Sequence, residues 1–193
     1  HIGLHRLPPV LRAYTKQFTE VELDIQFMDS EQACRAVEQG DLEMGIVTLP
    51  LHASEILRTQ LIWPDPLSIV VSKLHPLAKI NRITLKQLVE HKAILPAHGT
   101  FTREIIEQTF AAESLHVNIS LATNYLETIK MMVSVGLGWS ILPDSMLSKD
   151  IKAIPIRGLH LQRQLGIVWH GGRTLSNAAL ALQQLLRNEA AAR

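Results

Sequence analysis

Cysteine is almost missing from this chain. Cys34 stands alone in 193 residues, so no internal disulfide can staple the fold. That fits a reducing compartment, although periplasmic proteins also manage without disulfides. Aromatic residues make up only 5%. The tryptophans, Trp63, Trp139 and Trp169, are too scattered to form a platform for stacking nucleic-acid bases. An excess of charge of one sign is lacking too: 19 Lys and Arg face 18 Asp and Glu. That leaves no basic face for a phosphate backbone and no acidic tail. No apolar run approaches the ~20 residues of a membrane-spanning helix. There is no G-x-S-x-G elbow, no glycine-rich phosphate loop and no spacing that selects a Ser-His-Asp set. These absences turn the reading away from enzymes and toward a binding module.

What is present is ample apolar material, 47% of the chain, enough to fill a real core. The length suits one large domain or two small ones. The chain opens on His1 rather than Met and runs at once into helix-like sequence without a secretory leader, which reads as an excised fragment. The most telling stretch is Leu121 to Pro143, LATNYLETIKMMVSVGLGWSILP. Asn124 stands where an N-cap is expected, and Glu127 three residues later completes a capping box. Leu126, Ile129, Met132 and Val133 recur at helical spacing. Gly136 and Gly138 stop the helix before a buried strand. Such a unit sets unpaired backbone N–H groups beside a strand end, a place suited to small polar or anionic ligands.

Leu4, Leu7, Val10, Leu11, Tyr14 and Phe18 predict an amphipathic helix from about Ile2 to Gln17, with Pro8 and Pro9 tolerated only near its start. Alternation across Val21, Leu23, Ile25 and Phe27 predicts an edge strand. Asp29 or Ser30 caps the next helix, Gly40 ends it, and Met44 to Val47 is a short buried strand. This α-β-α-β order predicts a parallel sheet. Residues 49–66 read as irregular. Further strands are expected at 67–71, 93–95, 117–121, 138–142, 151–156 and 165–169, with helices at 85–90 and 103–112. Ser176 caps a final helix through about Ala190, with Leu180, Leu182, Leu185 and Leu186 forming much of its apolar side.

At the level of motifs, the chain resembles the effector-binding (regulatory) domain of LysR-type transcriptional regulators. The residues that carry the likeness are IGLHRLPPVLRAYTKQF, VELDIQFMDSEQACRAVEQGDLEMGIV, PLSIVVSKLHPLA, ILPAHGTFTREIIE, LETIKMMVSVGLGWSILP and LGIVWHGGRTLSNAALAL. Each is soft alone, but their order and spacing span nearly the whole chain. The resemblance implies an α/β, two-lobed fold of the type 2 periplasmic-binding-protein kind, with two Rossmann-like subdomains joined by two crossing strands. Subdomain I would comprise 1–72 plus 169–193, and subdomain II 73–168. The effector would lie in the cleft between them. The family's N-terminal winged helix-turn-helix is absent from this chain, so DNA would be bound only through that missing domain. The resemblance further implies a cytoplasmic homodimer, tetrameric in the full-length protein. The pairing surfaces would be 21–27 with helix 30–39 on one side and helix 124–135 on the other.

Carried over position by position, the resemblance implies effector contacts at His1, Ser30 and Thr48 from the first lobe. From the second come His98, Gly99, Thr100, Thr102 and Asn124. Many relatives have Ser or Thr near the place of His1. Ser30 and Asn124 serve equally well as plain helix caps, Thr48 as a strand end, and His98 as an exposed loop residue. Thr100 is favoured, because Gly99 lets backbone approach a ligand closely. Cys34 reads as a small apolar residue of its helix rather than a redox sensor. Of nine histidines, only His1 and His5 have an i, i+4 spacing, and no third metal ligand accompanies them. No catalytic residue, metal or cofactor is expected. The alternatives are a periplasmic solute-binding protein of the same fold, an enzyme on a related two-lobe scaffold, and a protein-interaction module without a small ligand.

Overall fold

Two long strands organise the molecule. In the computed structural model, which describes residues 2–52 and 54–191, β2 (Leu57–Ser72) and β7 (Leu161–His170) carry the chain between two compact units. One unit holds the residues up to Pro64 and from Gln164 onward; the other is Asp65–Arg163. The breaks thus fall at 64/65 and 163/164, inside continuous strands, whereas the expected boundaries were 72/73 and 168/169. A strand that keeps its alternation from one unit into the next offers no composition change to mark the crossing. His1 lies outside the described residues.

The first unit contains α1 (Ile2–His5), α2 (Leu7–Gln17), α3 (Ser30–Gln39), β1 (Met44–Thr48) and α7 (Asn177–Ala191), with its share of β2 and β7. The expected single helix from Ile2 is broken at Arg6, because Pro8 has no N–H for the carbonyl four residues back and its ring crowds it; the helix restarts with proline in its first turn. Residues 21–27 form no strand. β1 instead pairs antiparallel with β7, from Met44 opposite Trp169 to Thr48 opposite Leu165, so the parallel arrangement expected here is not formed. β2 lies on the other side of β7. A Cβ on Gly166 would come within 2.2 Å of the Gln60 carbonyl oxygen, so only glycine fits that strand approach. The core joins Leu7, Val10, Ile62, Trp63, Leu165, Ile167 and Leu186. Two long-range bonds fasten the helices: the Tyr14 hydroxyl donates to the Ala178 carbonyl at 3.0 Å, and Trp63 Nε1 donates to Glu189 at 2.9 Å. Leu180, expected on the apolar side of α7, is exposed.

Residues 49–66 are not irregular throughout, since β2 begins at Leu57. Pro64 and Pro66 occupy exposed positions of a strand whose alternate residues Trp63, Asp65, Leu67 and Ile69 are buried.

The second unit places β5 (Ser140–Pro143) and β6 (Ile151–Ala153) antiparallel on either side of β2. A parallel pair, β3 (Ala93–Leu95) with β4 (Ile119–Ala122), joins β5 through a bridge from Ala93 to Trp139. Around it stand α4 (Leu85–Leu88), α5 (Phe101–Ala112) and α6 (Leu126–Ser134). Trp139 is fully buried, its ring 5.6 Å from that of Phe110, and its Nε1 donates to the His91 carbonyl at 3.0 Å. Val70, Ile94, Ile129, Val133, Leu142 and Met146 fill a second cluster under α6.

Trp139→Ala is expected to cost about 3–5 kcal/mol, because it opens a cavity and orphans a carbonyl; urea unfolding measures it. His75 gives a pH signature. Its Nδ1 accepts the Leu77 N–H at 3.2 Å, and the His91 ring lies 4.8 Å away. Burial first, and then the neighbouring His91, lower its pKa from 6.5. The folded form therefore binds fewer protons than the unfolded chain, so this contribution is present above the unfolded pKa and lost as pH falls below it. His75→Asn should flatten the change in melting temperature between about pH 7 and pH 5.

Candidate functional site

Each unit offers a helix start beside a strand end. In the first, Asp29 is the N-cap of α3 and forms a capping box with Gln32. Ser30 is therefore the first helical residue, not the cap, and its Oγ is free to reach the strand. It accepts the Thr48 N–H at 3.0 Å. Accepting leaves the Ser30 O–H as a donor. Thr48 is buried at the last position of β1. Ser30 and Thr48 are thus brought together as one strand-tip, helix-start element.

In the second unit the loop 96–100 leaves β3 and enters α5. Gly99 has φ +83°, with open space where a Cβ would stand; left-handed backbone is what requires glycine there. His98 and Gly99 are exposed. Thr100 caps α5: its Oγ1 accepts the Arg103 N–H at 3.3 Å and donates to the Ala97 carbonyl at 2.9 Å. Its only proton is thereby committed within the loop. Arg103, buried, bonds Glu107 at 2.8 Å and the Pro96 carbonyl at 2.9 Å, so it shapes the same loop.

Asn124 does not cap α6. The N-cap is Tyr125, without a side-chain cap bond, and the helix starts at Leu126. The reason is visible in the loop opposite: Asn124 Oδ1 accepts the Ala97 N–H at 2.9 Å. The amide oxygen that would have capped its own helix ties two neighbouring segments together instead. Thus Asn124 and the loop bearing His98, Gly99, Thr100 and Thr102 form one assembly.

Thr102 leads to residues that sequence reasoning passed over. Its Oγ1 lies 3.4 Å from Arg163 Nη1. Arg163, 5% exposed, forms a salt bridge at 2.8 Å through Nε with Asp65, 1% exposed. The signal was present. Asp65 and Arg163 are charged residues at inward positions of alternating strands, W-P-D-P-L-S-I and L-Q-R-Q-L-G-I, where burial demands a partner. They are also the first and last residues of this unit.

Chemically, these elements offer hydrogen-bond donors, a guanidinium and helix N-termini, without a nucleophile paired to a base. Among the described residues, no group of three or more His, Cys, Asp or Glu could hold a metal ion, and no helix is long and apolar enough to cross a membrane. Cys34 is buried, and its thiol is pushed up to about 11 by burial first, then by Glu31 and Glu38.

The model of the LysR substrate-binding domain matches residues 1–191. The chain belongs to the LysR substrate-binding domain family. Among its relatives, the HTH-type transcriptional regulator YwqM of Bacillus subtilis is 26% identical over 188 residues, 95% of this chain. The chain spans 64% of YwqM, and 63% and 60% of two other regulators that it matches. Two solved structures share the fold. The effector-binding domain of QuiR in complex with shikimate has a TM-score of 0.89 at 18% identity, covering 100% of this chain and 93% of that one. The Synechocystis CcmR regulatory domain in complex with 2-PG has 0.85 at 21%, covering 96% and 91%. This LysR-family domain therefore has the two-lobed, periplasmic-binding-protein-like α/β fold.

Two outcomes test the site's construction. Asp65→Ala should destabilise the domain by about 3–5 kcal/mol by leaving a buried guanidinium unpaired; the double change Asp65→Leu with Arg163→Met should cost clearly less than either single truncation in chemical denaturation. Cys34 should resist iodoacetamide at pH 8 in the native protein and react readily in urea, since little thiolate exists below a pKa of about 11.

Proposed function

We propose that this LysR-family domain is the effector-sensing and self-pairing part of a transcriptional regulator rather than an enzyme. Its DNA-binding head would lie in the part of the relatives that the chain does not span. The observation that carries the reading is the family match over almost the whole chain. The site supports it. Ser30 with Thr48, and the loop 96–100 with Thr102 and Asn124, supply hydroxyls, an exposed histidine and helix-start N–H groups suited to a small polar or anionic solute. Relatives of the same fold hold shikimate and 2-PG.

Self-pairing is supported by exposed apolar side chains on the two surfaces that the resemblance implies. Ile25, Phe27 and Met28 are 44%, 80% and 38% exposed, while Tyr125, Met131 and Val135, in and flanking α6, are 77%, 51% and 65% exposed. A monomer rarely shows so much apolar surface in clusters without a partner. Ligand binding would then shift the population between two states of the pair and alter the spacing of the DNA-binding heads.

A ligand that binds only the native state raises its melting point. A melting-shift screen of small polar and anionic metabolites should find at least one that raises it by several degrees at saturation; a screen in which none does so counts against effector sensing. By sedimentation, the domain should be dimeric at micromolar concentration, and Phe27→Asp or Val135→Asp should make it monomeric while leaving its circular dichroism unchanged. A monomeric unmodified domain would remove the pairing.

A further inference from the structure

We infer that the Arg163 guanidinium is a carboxylate-recognition group, holding a small carboxylate on its Nη1–Nη2 edge together with the Thr102 hydroxyl and the first turn of α5. The inference rests on the effector-binding reading above and gives it a ligand class. A guanidinium presents N–H donors in a planar fork and seldom leaves them idle when buried. Here Nε is taken by Asp65 at 2.8 Å, Nη1 has one long contact to Thr102 Oγ1 at 3.4 Å, and Nη2 has no hydrogen-bond partner among the described residues. The residue is 5% exposed and Nη2 itself is enclosed, so bulk solvent does not reach that donor.

The placement of this edge matters as much as its vacancy for bonding. Thr102 is in the first turn of α5, a helix of 12 residues. Asp65 already neutralises Arg163, so a second anion would bring one uncompensated negative charge. The positive end of the α5 dipole is the local feature that offsets it. Neighbouring groups do not compete: the Thr100 proton goes to the Ala97 carbonyl, and Arg103 is engaged by Glu107 and the Pro96 carbonyl. Thr102 now accepts from Nη1. On ligand entry its hydroxyl would turn to donate to one carboxylate oxygen, while Nη1 and Nη2 take the pair of oxygens side by side. The planar fork fits a carboxylate bidentately, which a lysine ammonium cannot reproduce. Because Nη2 is enclosed, this edge must open for binding, and the long Thr102 contact is the bond that yields.

The test uses the purified domain and a panel of small carboxylic acids, benzoate and shikimate among them, each beside its primary amide. Binding is read by melting shift and calorimetry. The expected result is that acids bind and their amides bind at least about tenfold more weakly, the cost of losing a charge-assisted pair. Arg163→Lys, which keeps a cation for Asp65 but loses the planar fork, should weaken acid binding about tenfold. Thr102→Val, which leaves the ion pair intact, should weaken acid binding several-fold with unchanged circular dichroism. The inference is overturned, with effector sensing left standing, if an amide binds as well as its acid or if either variant binds the acid as tightly as the unmodified domain. If no acid or amide binds the unmodified domain, the inference falls together with effector sensing.

Discussion

The ion pair between Asp65 and Arg163 is the constraint on which the second unit depends. It joins the residue at which β2 enters that unit to the residue at which β7 leaves it. A buried pair of this kind contributes little net stability compared with an apolar pair of equal volume, but it is costly to break. Its consequence is positional. It fixes the two strands against each other where the unit opens and closes, and through Thr102 it reaches the first turn of α5. Strand geometry and the helix start are thereby coupled by two bonds.

The loop between β3 and α5 is held by the same logic. Thr100, Arg103 and Asn124 do not simply line a surface; they spend their hydrogen bonds on Ala97 and Pro96. A loop fixed from both of its neighbours presents its exposed atoms in one arrangement, which lowers the ordering cost of binding. The Thr100 hydroxyl, which looked best suited to a ligand, also builds the loop. Thr102, two residues on, sits beside the guanidinium that still has a donor without a partner among the described residues.

Membership of the LysR substrate-binding domain family accounts for the architecture: two α/β units from one chain, with two strands passing between them. Burial holds the Cys34 thiol largely protonated near neutral pH.

Much of this was legible in the sequence. Helical spacing placed α3, α5 and α6 to within a few residues, Gly40 behaved as the stop of α3, and the order of motifs named the family. Local signals succeed where a backbone group finds its partner within a few residues. They failed where the partner was distant. Residues 21–27 alternate like a strand but meet no neighbour to pair with; 57–66 carry two prolines yet continue a strand, because those prolines fall on its exposed face. Asn124 has every feature of a cap, and its oxygen was claimed by Ala97. Composition and periodicity determined which segments bury a face, and the motifs in their order carried the resemblance to the family. Only the tertiary structure decided which strand lies beside which, and which polar atom answers which, because a hydrogen bond or ion pair is satisfied by proximity in space, to which sequence separation is blind.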